Sequence, residues 1–72
     1  MIKLSTIPEG SIVTCRNGID YYAVPDMKIM FKGWNGHLDF SDFDEEFNHA
    51  DNPGHDIMKI THKKAILWKR GD

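Results

Sequence analysis

Two Asn-Gly dipeptides, Asn17-Gly18 and Asn35-Gly36, constrain the fold of this chain more than any other feature. Each lies between short runs of β-branched and aromatic residues, and Asn-Gly in that setting is the strongest short-range signal for a tight β-hairpin. A type I′ turn needs a positive φ at both central residues, which asparagine and glycine tolerate. Two such hairpins in succession predict an antiparallel meander and argue against a helical bundle.

Six short runs have the composition of β-strands. They are rich in β-branched and aromatic residues, and glycine, proline and asparagine punctuate the segments between them. Pro25 closes the second run because proline cannot donate a hydrogen bond to a ladder. The expected strands span residues 11–16, 19–24, 27–32, 37–40, 57–62 and 65–68.

One short acidic helical turn is expected near residues 41–48. Ser41 is a suitable N-cap, and the acids that follow it would complement the helix dipole. Phe43 and Phe47, spaced i and i+4, would share one face of the helix. The turn-forming sequence Asn52-Pro53-Gly54 ends this segment.

The chain of 72 residues is expected to form one domain, residues 1–72, near the lower size limit for a stable core. Closing a small sheet removes its exposed edges, and Gly10 at the start of the first strand resembles the opening of many SH3-like barrels. The predicted fold is therefore mainly β: a small SH3-like antiparallel β-barrel of five or six strands. An unclosed edge would allow pairing with a second copy, so a homo-oligomer stays open. The expected core is Ile12, Val13, Tyr22, Val24, Ile29, Phe31, Leu38, Phe43, Phe47, Ile57, Ile60, Leu67 and Trp68.

Charge is distributed very unevenly along the chain. Seven carboxylates and no lysine or arginine lie between Asp39 and Asp56, whereas the remainder holds nine basic residues and four acids. The net charge of −2 thus conceals a dipolar molecule. Such an asymmetry favours a surface that another molecule recognises.

Catalytic and metal-binding chemistry is poorly supported. The four histidines are separated by 12, 6 and 7 residues, and the short spacing that structural zinc sites use does not occur. Asp39 and Asp42 each fail as the start of an EF-hand loop, because neither is followed by glycine at the sixth position. Cys15, the single cysteine, is expected to be a small buried hydrophobic residue. We therefore predict a protein that is not an enzyme and has no metal or cofactor, with its histidines at the surface.

Four segments resemble a group of small uncharacterised proteins encoded by bacteriophages, prophages and their bacterial hosts. These are Val13–Gly18, Leu38–Phe47, Asp56–Ile60 and Leu67–Arg70. The resemblance spans most of the chain and is missing chiefly from residues 25–36. It implies a phage-associated protein with an SH3-like β-barrel and no catalytic residues. Cys15 departs from the group, whose members usually have an aliphatic or other residue there.

The location expected from the sequence is the cytoplasm of the bacterial host cell. The first residues are too few and too polar for a signal peptide, and no apolar run approaches the ~20 residues that span a bilayer. One cysteine cannot form an internal disulfide, which fits a reducing compartment.

The function favoured by the sequence is binding of a basic protein partner through an acidic face. The expected partner-binding residues are Asp39, Asp42, Asp44, Glu45 and Glu46, with Trp34 as an aromatic anchor. Carboxylates spaced a few ångströms apart imitate the phosphates of a nucleic acid. In its most specific form, the hypothesis is a nucleic-acid mimic that inhibits a host defence factor.

The alternative is a small nucleic-acid-binding barrel that uses its basic C-terminal segment. The residues concerned are Lys59, Lys63, Lys64, Lys69 and Arg70. Lysines along a backbone groove and an aromatic under a base are typical of such barrels. A pI near 6.0 and the acidic segment both weigh against it, and Trp68 is expected to be core.

Overall fold

The structure, a computed structural model, describes residues 2–33 and 36–71 and shows a single antiparallel sheet. Its strands are β1 (Ile12–Cys15), β2 (Asp20–Val24), β3 (Ile29–Phe31), β4 (His37–Asp39), β5 (Ile57–His62) and β6 (Ala65–Lys69). Their order across the sheet is β4-β3-β2-β1-β5-β6. The prediction of a mainly β fold with up to six antiparallel strands is therefore confirmed.

Strands β4 and β6 lie at opposite ends of this sheet and do not pair with each other, so the sheet is not closed in the described part of the chain. The Cα radius of gyration is 10.8 Å, close to the ~11 Å expected for a folded chain of this length. The molecule is thus compact without a closed barrel, and an SH3-like barrel stays a prediction.

The first predicted hairpin forms, but not with the expected turn. The N–H of Gly18 donates to the carbonyl of Cys15 at 2.9 Å, and the N–H of Cys15 donates to Ile19 at 3.0 Å. Gly18 has a φ of 86°, whereas Asn17 has no positive φ. The type I′ prediction is therefore wrong: the asparagine instead accepts the N–H of Ile19 through Oδ1 at 3.0 Å.

The later hairpins behave differently from each other. β3 and β4 pair as predicted, and the N–H of Lys32 donates to the carbonyl of Gly36 at 2.9 Å. Asn35 lies outside the described residues, so the type of this turn stays a prediction. Between β5 and β6, Lys63 and Lys64 both have positive φ, at 50° and 70°. A two-residue loop with two positive φ values is the geometry of a type I′ turn.

The acidic helical turn predicted near residues 41–48 does not form. A single 3₁₀ turn spans Phe40–Asp42, and the chain is extended at Phe43. Phe43 then pairs with His49 in an isolated antiparallel bridge, and Phe47 takes a positive φ of 66°. Residues 43–49 therefore form a closed loop. Carboxylate side chains accept hydrogen bonds from backbone N–H groups in turns as well as at the starts of helices, so the acidic sequence is compatible with either structure. Other 3₁₀ turns span Leu4–Thr6, Pro25–Met27 and Pro53–His55.

The sheet buries one face, and strand register determines which residues lie there. Val13 pairs with Tyr21 and with Ile60, and Ile60 pairs with Trp68, so these four side chains share the inner face. The buried core is Leu4, Ile7, Val13, Cys15, Tyr21, Ala23, Met30, Phe47, Ile57 and Ile60. Partly buried hydrophobic residues packed against it are Ile2, Ile19, Leu38, Phe40, Phe43 and Trp68.

Four predicted core residues are therefore confirmed as buried and three as packed against the core, but two are wrong. Tyr22 is 49% exposed and Leu67 is 36% exposed. Tyr21 takes the expected place of Tyr22, because neighbouring residues of a strand point to opposite faces. The half-buried side chains among those predicted are Ile12, Val24, Ile29 and Phe31.

Candidate functional site

Three of the predicted partner-binding carboxylates line one groove. Asp39, Asp44 and Glu45 lie on its wall, and the groove has a volume of about 880 Å³. Asp42 is half-buried and Glu46 is exposed, and neither belongs to the groove lining. Trp34, the predicted aromatic anchor, lies outside the described residues.

The apolar part of the groove lining comes from three separate segments. The N-terminal segment supplies Ile2 and Leu4, the Pro25–Met27 turn supplies Met27, and the chain after β4 supplies Phe40, Phe43 and Phe47. Met27 is 62% exposed, a high value for a large apolar side chain. Apolar residues surrounded by charge are typical of interaction sites. Sequence reasoning missed Ile2, Leu4, Met27 and Phe40 in this lining, because they share no periodicity.

Two lysines also line the groove, Lys3 and Lys28. Lys3 precedes the Leu4–Thr6 turn, whose Thr6 hydroxyl donates to the carbonyl of Lys3 at 2.9 Å. The backbone N–H of Lys3 donates in return to Thr6 Oγ1 at 3.2 Å. The groove thus carries three carboxylates and two ammonium groups, and its charge is acidic by one unit.

Asp44 shapes the loop of residues 43–49, called the acidic loop below. Its Oδ1 accepts the backbone N–H of Glu46 at 2.8 Å and that of Asn48 at 3.0 Å. These bonds, that from Asn48 foremost, hold the pKa of Asp44 below its usual value. The carboxylate is therefore ionised at neutral pH and is part of the loop framework as well as of the groove wall.

Arg70 ties the same loop to the sheet. Its Nε donates to the carbonyl of Ile57 at 3.0 Å, and its Nη2 donates to the carbonyls of Phe47 and Glu46 at 3.2 and 3.3 Å. The guanidinium carbon also lies 5.6 Å from the ring centre of Trp68. A residue expected to bind nucleic acid in the alternative hypothesis therefore directs three hydrogen bonds into the fold.

Asp56 belongs to the framework and not to the acidic face. Its Oδ1 accepts the N–H of His49 at 2.8 Å, and its Oδ2 lies 3.7 Å from Arg16 Nη2. His49 in turn accepts the N–H groups of Asp51 and Asn52 through Nδ1, both at 3.1 Å. The carboxylate of Asp56 thus stabilises the loop before β5.

The histidines are not uniformly at the surface. His37 is exposed and lies 3.9 Å from an oxygen of Asp39. His49, His55 and His62 are half-buried, and the rings of His49 and His55 are in edge-to-face contact at 4.9 Å. The prediction that all four histidines lie at the surface is therefore wrong for these three. Within residues 2–33 and 36–71, no three histidine, cysteine, aspartate or glutamate side chains are grouped closely enough to hold a metal ion.

Cys15 is buried, as predicted, with 2% of its surface exposed. Burial is the main cause that raises the pKa of its thiol to about 11, and Asp20 and Asp56 act in the same direction. The thiolate is the nucleophilic form of cysteine, so this environment opposes a catalytic role.

The remaining basic residues of the C-terminal segment lie at two places on the β5–β6 hairpin. Lys59 and Lys69 are directly opposite each other in the register of the two strands. Lys63 and Lys64 are exposed and form the hairpin turn. Trp68 packs edge-to-face on Phe47 with ring centres 4.6 Å apart, which confirms that it belongs with the core.

No helix in the described residues has both the length and the apolar character needed to cross a membrane.

Comparisons with protein-family models, with curated proteins and with solved structures gave no match. The resemblance to small phage and prophage proteins therefore stays a prediction.

Proposed function

We propose that this chain is a non-enzymatic binding protein whose acidic face engages a basic surface on a protein partner. The acidic face comprises Asp39, Asp42, Asp44, Glu45 and Glu46. The observation that carries the proposal is the groove, whose lining combines three of these carboxylates with apolar side chains. Charge in the lining speeds encounter and selects the partner, while the apolar side chains supply the desolvated contacts that hold it.

The rigidity of the acidic loop supports this function. Asp44 accepts two backbone N–H groups inside the loop, and Arg70 holds the loop carbonyls from outside. A binding surface that is already ordered loses less conformational entropy when the partner docks. The loop would therefore present its carboxylates in one arrangement before binding.

A more specific form of the proposal is a phage-type SH3-like protein that acts in the bacterial cytoplasm as a nucleic-acid mimic. Its partner would be a host defence factor whose basic surface normally contacts nucleic acid. The support for this form is the charge pattern of the acidic face together with the sequence resemblance described above. A partner of that kind would have to exchange its phosphate contacts for carboxylate contacts.

The test is capture of partners from bacterial lysate on the immobilised protein after nuclease digestion. Glu45→Lys is the informative variant, because Glu45 is exposed and lines the groove, and Glu9→Lys is the matched control at an exposed glutamate outside it. The proposal expects a basic nucleic-acid-binding protein that the wild type and Glu9→Lys retain at low salt and release at high salt. Glu45→Lys should retain about tenfold less. Equal retention by the two variants would overturn the proposal.

A further inference from the structure

The solvent-facing side of the sheet carries a continuous row of side chains, one from each strand. Tyr22 pairs with Phe31 and with Ile12, Ile12 pairs with Thr61, and Phe31 pairs with His37. At the far end Thr61 pairs with Ile66. In strand order from β4 to β6 the outer row is His37, Phe31, Tyr22, Ile12, Thr61 and Ile66.

The outer row is largely apolar, and its members Ile12, Phe31 and Thr61 are half-buried. Tyr22 is 49% exposed and Ile66 is 59% exposed. Three of its members are aromatic rings on the adjacent strands β4, β3 and β2, and neighbouring strands lie about 4.8 Å apart. Phe31 and His37 are in ring contact, with centroids 6.4 Å apart and ring planes tilted by 56°. The two rings are therefore not coplanar, and each can stack with a separate planar ligand or base.

Positive charge lies on both sides of the β5–β6 end of the outer row. Lys59 and Lys69 lie directly opposite each other on β5 and β6. Lys59 is two residues before Thr61 in β5, so this pair is next to the outer row on the same face of the sheet. On the other side, Lys63 and Lys64 form the hairpin turn immediately beyond His62 and Ala65. Among the described residues none of these four lysines makes a salt bridge.

Both lysine pairs lower the stability of the folded protein. Like charges directly opposite each other on neighbouring strands destabilise a sheet. Left-handed backbone conformations also disfavour residues with a Cβ, and the turn between β5 and β6 has two such lysines where Asn-Gly would fit better. An anionic ligand would relieve the repulsion, and strained backbone often marks a functional position.

We propose that the outer row and the lysines beside it form a site for single-stranded nucleic acid. Bases would stack on Tyr22, Phe31 and His37, and the phosphates would run toward the lysines at the β5–β6 end. Stacking platforms combined with a basic track are the recognition mode of proteins that bind single strands without sequence preference. The site lies on the sheet face opposite the core and uses a different set of residues from the acidic face. It therefore does not depend on the proposed function.

A second copy of the chain is the competing occupant of this apolar face. A two-fold contact would bring the same surface of both copies together, including its lysines. The repulsion among eight ammonium groups argues against that arrangement, whereas a polyanion is complementary to it. Two strand carboxylates lie on the same face. An oxygen of Asp39 is 3.9 Å from Nε2 of His37 at the β4 end. Asp20 lies in the Lys59 row, and its Oδ1 accepts the Thr14 hydroxyl at 2.7 Å.

The test uses fluorescence anisotropy of the full chain with labelled 15-nucleotide oligothymidylate and with the corresponding duplex, titrated at several salt concentrations. The wild type should bind the single strand more tightly than the duplex, because paired bases cannot stack on the protein. Tyr22→Leu retains apolar bulk but removes the ring, and should weaken binding about 5- to 100-fold. Equal affinity of Tyr22→Leu and the wild type for the single strand would overturn the proposal.

The lysines are tested by two double variants. Lys59→Gln with Lys69→Gln should lower the slope of log K against log salt by about 1.4, since each phosphate contact contributes about 0.7 for single strands. Lys3→Gln with Lys28→Gln removes the same charge from the groove and should leave the slope unchanged. If the two pairs have equal effects, binding is non-specific and the site does not exist.

Folding defects are excluded by a third variant and a measurement of mass. Lys63→Asn with Lys64→Gly improves the turn but removes two charges, so it should melt at a higher temperature while binding the oligonucleotide more weakly. Weak binding by a more stable protein has no explanation in misfolding. Light scattering identifies the competing occupant: a wild-type dimer that Tyr22→Leu converts to a monomer, with no oligonucleotide bound by either, would overturn the proposal.

Discussion

Arg70 Nε donates to the carbonyl oxygen of Ile57 at 3.0 Å, across the hairpin that ends the sheet. The second arm of the same guanidinium reaches the carbonyls of Glu46 and Phe47, so one side chain connects β5 with the acidic loop. Ile57 completes the connection, because its N–H donates to the carbonyl of Phe47 at 2.9 Å. The groove wall is therefore held by residues that lie outside the groove.

Arg70→Ala should destabilise the fold by about 1–3 kcal/mol, because it leaves partly buried carbonyl acceptors without a charged donor. The measurement is urea denaturation followed by the fluorescence of the tryptophans. Arg16→Ala is the control, since Arg16 makes one longer contact to Asp56 at 3.7 Å and is 43% exposed. Its cost should be at most about 1 kcal/mol. Similar losses for both variants would show that Arg70 has no special role.

Asp44→Asn removes the negative charge of the Asp44 side chain and keeps its size and shape. Asparagine still accepts backbone N–H groups, but it lacks the negative charge that these N–H groups stabilise. The pKa of Asp44 is lower in the folded protein than its ordinary 3.8, so its carboxylate stabilises the fold above that pH and ceases to do so as the pH falls through the folded value. The wild type should therefore be more stable than Asp44→Asn at pH 6, and the difference should shrink below pH 3.8.

The measurement is denaturation of both proteins in urea at intervals from pH 6 to pH 2. Asp51→Asn provides the comparison, because Asp51 is an exposed carboxylate of the same segment and its side chain is not part of the loop cap. A difference between the wild type and Asp44→Asn that does not change with pH would contradict the assignment.

Cys15 makes the stability sensitive to alkaline pH. Its thiol has a pKa of about 11 in the fold against an ordinary 9.0, so the folded state holds the proton more tightly. This contribution is complete below pH 9 and is lost as the pH rises from 9 toward 11, by about 2–3 kcal/mol at most. Cys15→Ala should lose less stability than the wild type over that interval. Parallel decline of the two proteins from pH 8 to pH 11 would show that other groups dominate.

The hairpin topology was predictable because its signals are local. Asn17-Gly18 marks a reversal between two β-rich runs whatever turn type results, and the pairing of β1 with β2 follows from it. Pro25 likewise ends β2, because the proline ring fixes φ and removes the backbone N–H donor. The turn type was not predictable in the same way, because Asn17 has a side-chain acceptor that supports a second geometry.

Burial depended on contacts that local patterns do not contain. Tyr21 and Tyr22 are chemically identical neighbours, and only the pairing of Val13 with Tyr21 on the inner face distinguishes them. Leu4 and Ile7 are buried although they lie outside every strand, because the N-terminal segment folds back over the core. Phe43 and Phe47 approach the core as predicted, through a closed loop and not a helix.

The candidate site was predictable in its charge but not in its shape. Asp39, Asp44 and Glu45 were identified from composition alone, whereas Met27 and Lys3 joined them only through tertiary folding. Asp56 and Arg70 cannot be distinguished by charge from the acidic and basic residues near them in the sequence. Only the structure shows that their side chains form hydrogen bonds to backbone groups and so stabilise the fold. The alternation of strand residues could have indicated Tyr22 and Phe31 as an outer pair once the register was known.

The turn between β5 and β6 offers a direct gain in stability. Lys63 and Lys64 have φ values of 50° and 70°, which cost a residue with a Cβ about 1 kcal/mol or more. Asn-Gly is the preferred pair for a type I′ turn, so Lys63→Asn with Lys64→Gly should raise the free energy of unfolding by about 1 kcal/mol. For a domain of this size that corresponds to roughly 4–8 °C in Tm, measurable by circular dichroism.

The matched control for that variant is Lys63→Gln with Lys64→Gln, which removes the same two charges but keeps a Cβ at both positions. Relief of charge repulsion alone would stabilise both double variants equally, whereas relief of backbone strain would stabilise the Asn-Gly variant more. A gain confined to Asn-Gly would show that the two lysines cost stability through their backbone conformation. Natural sequences are rarely at their stability optimum, so the oligonucleotide titration of the same variant decides whether these lysines contact an anion.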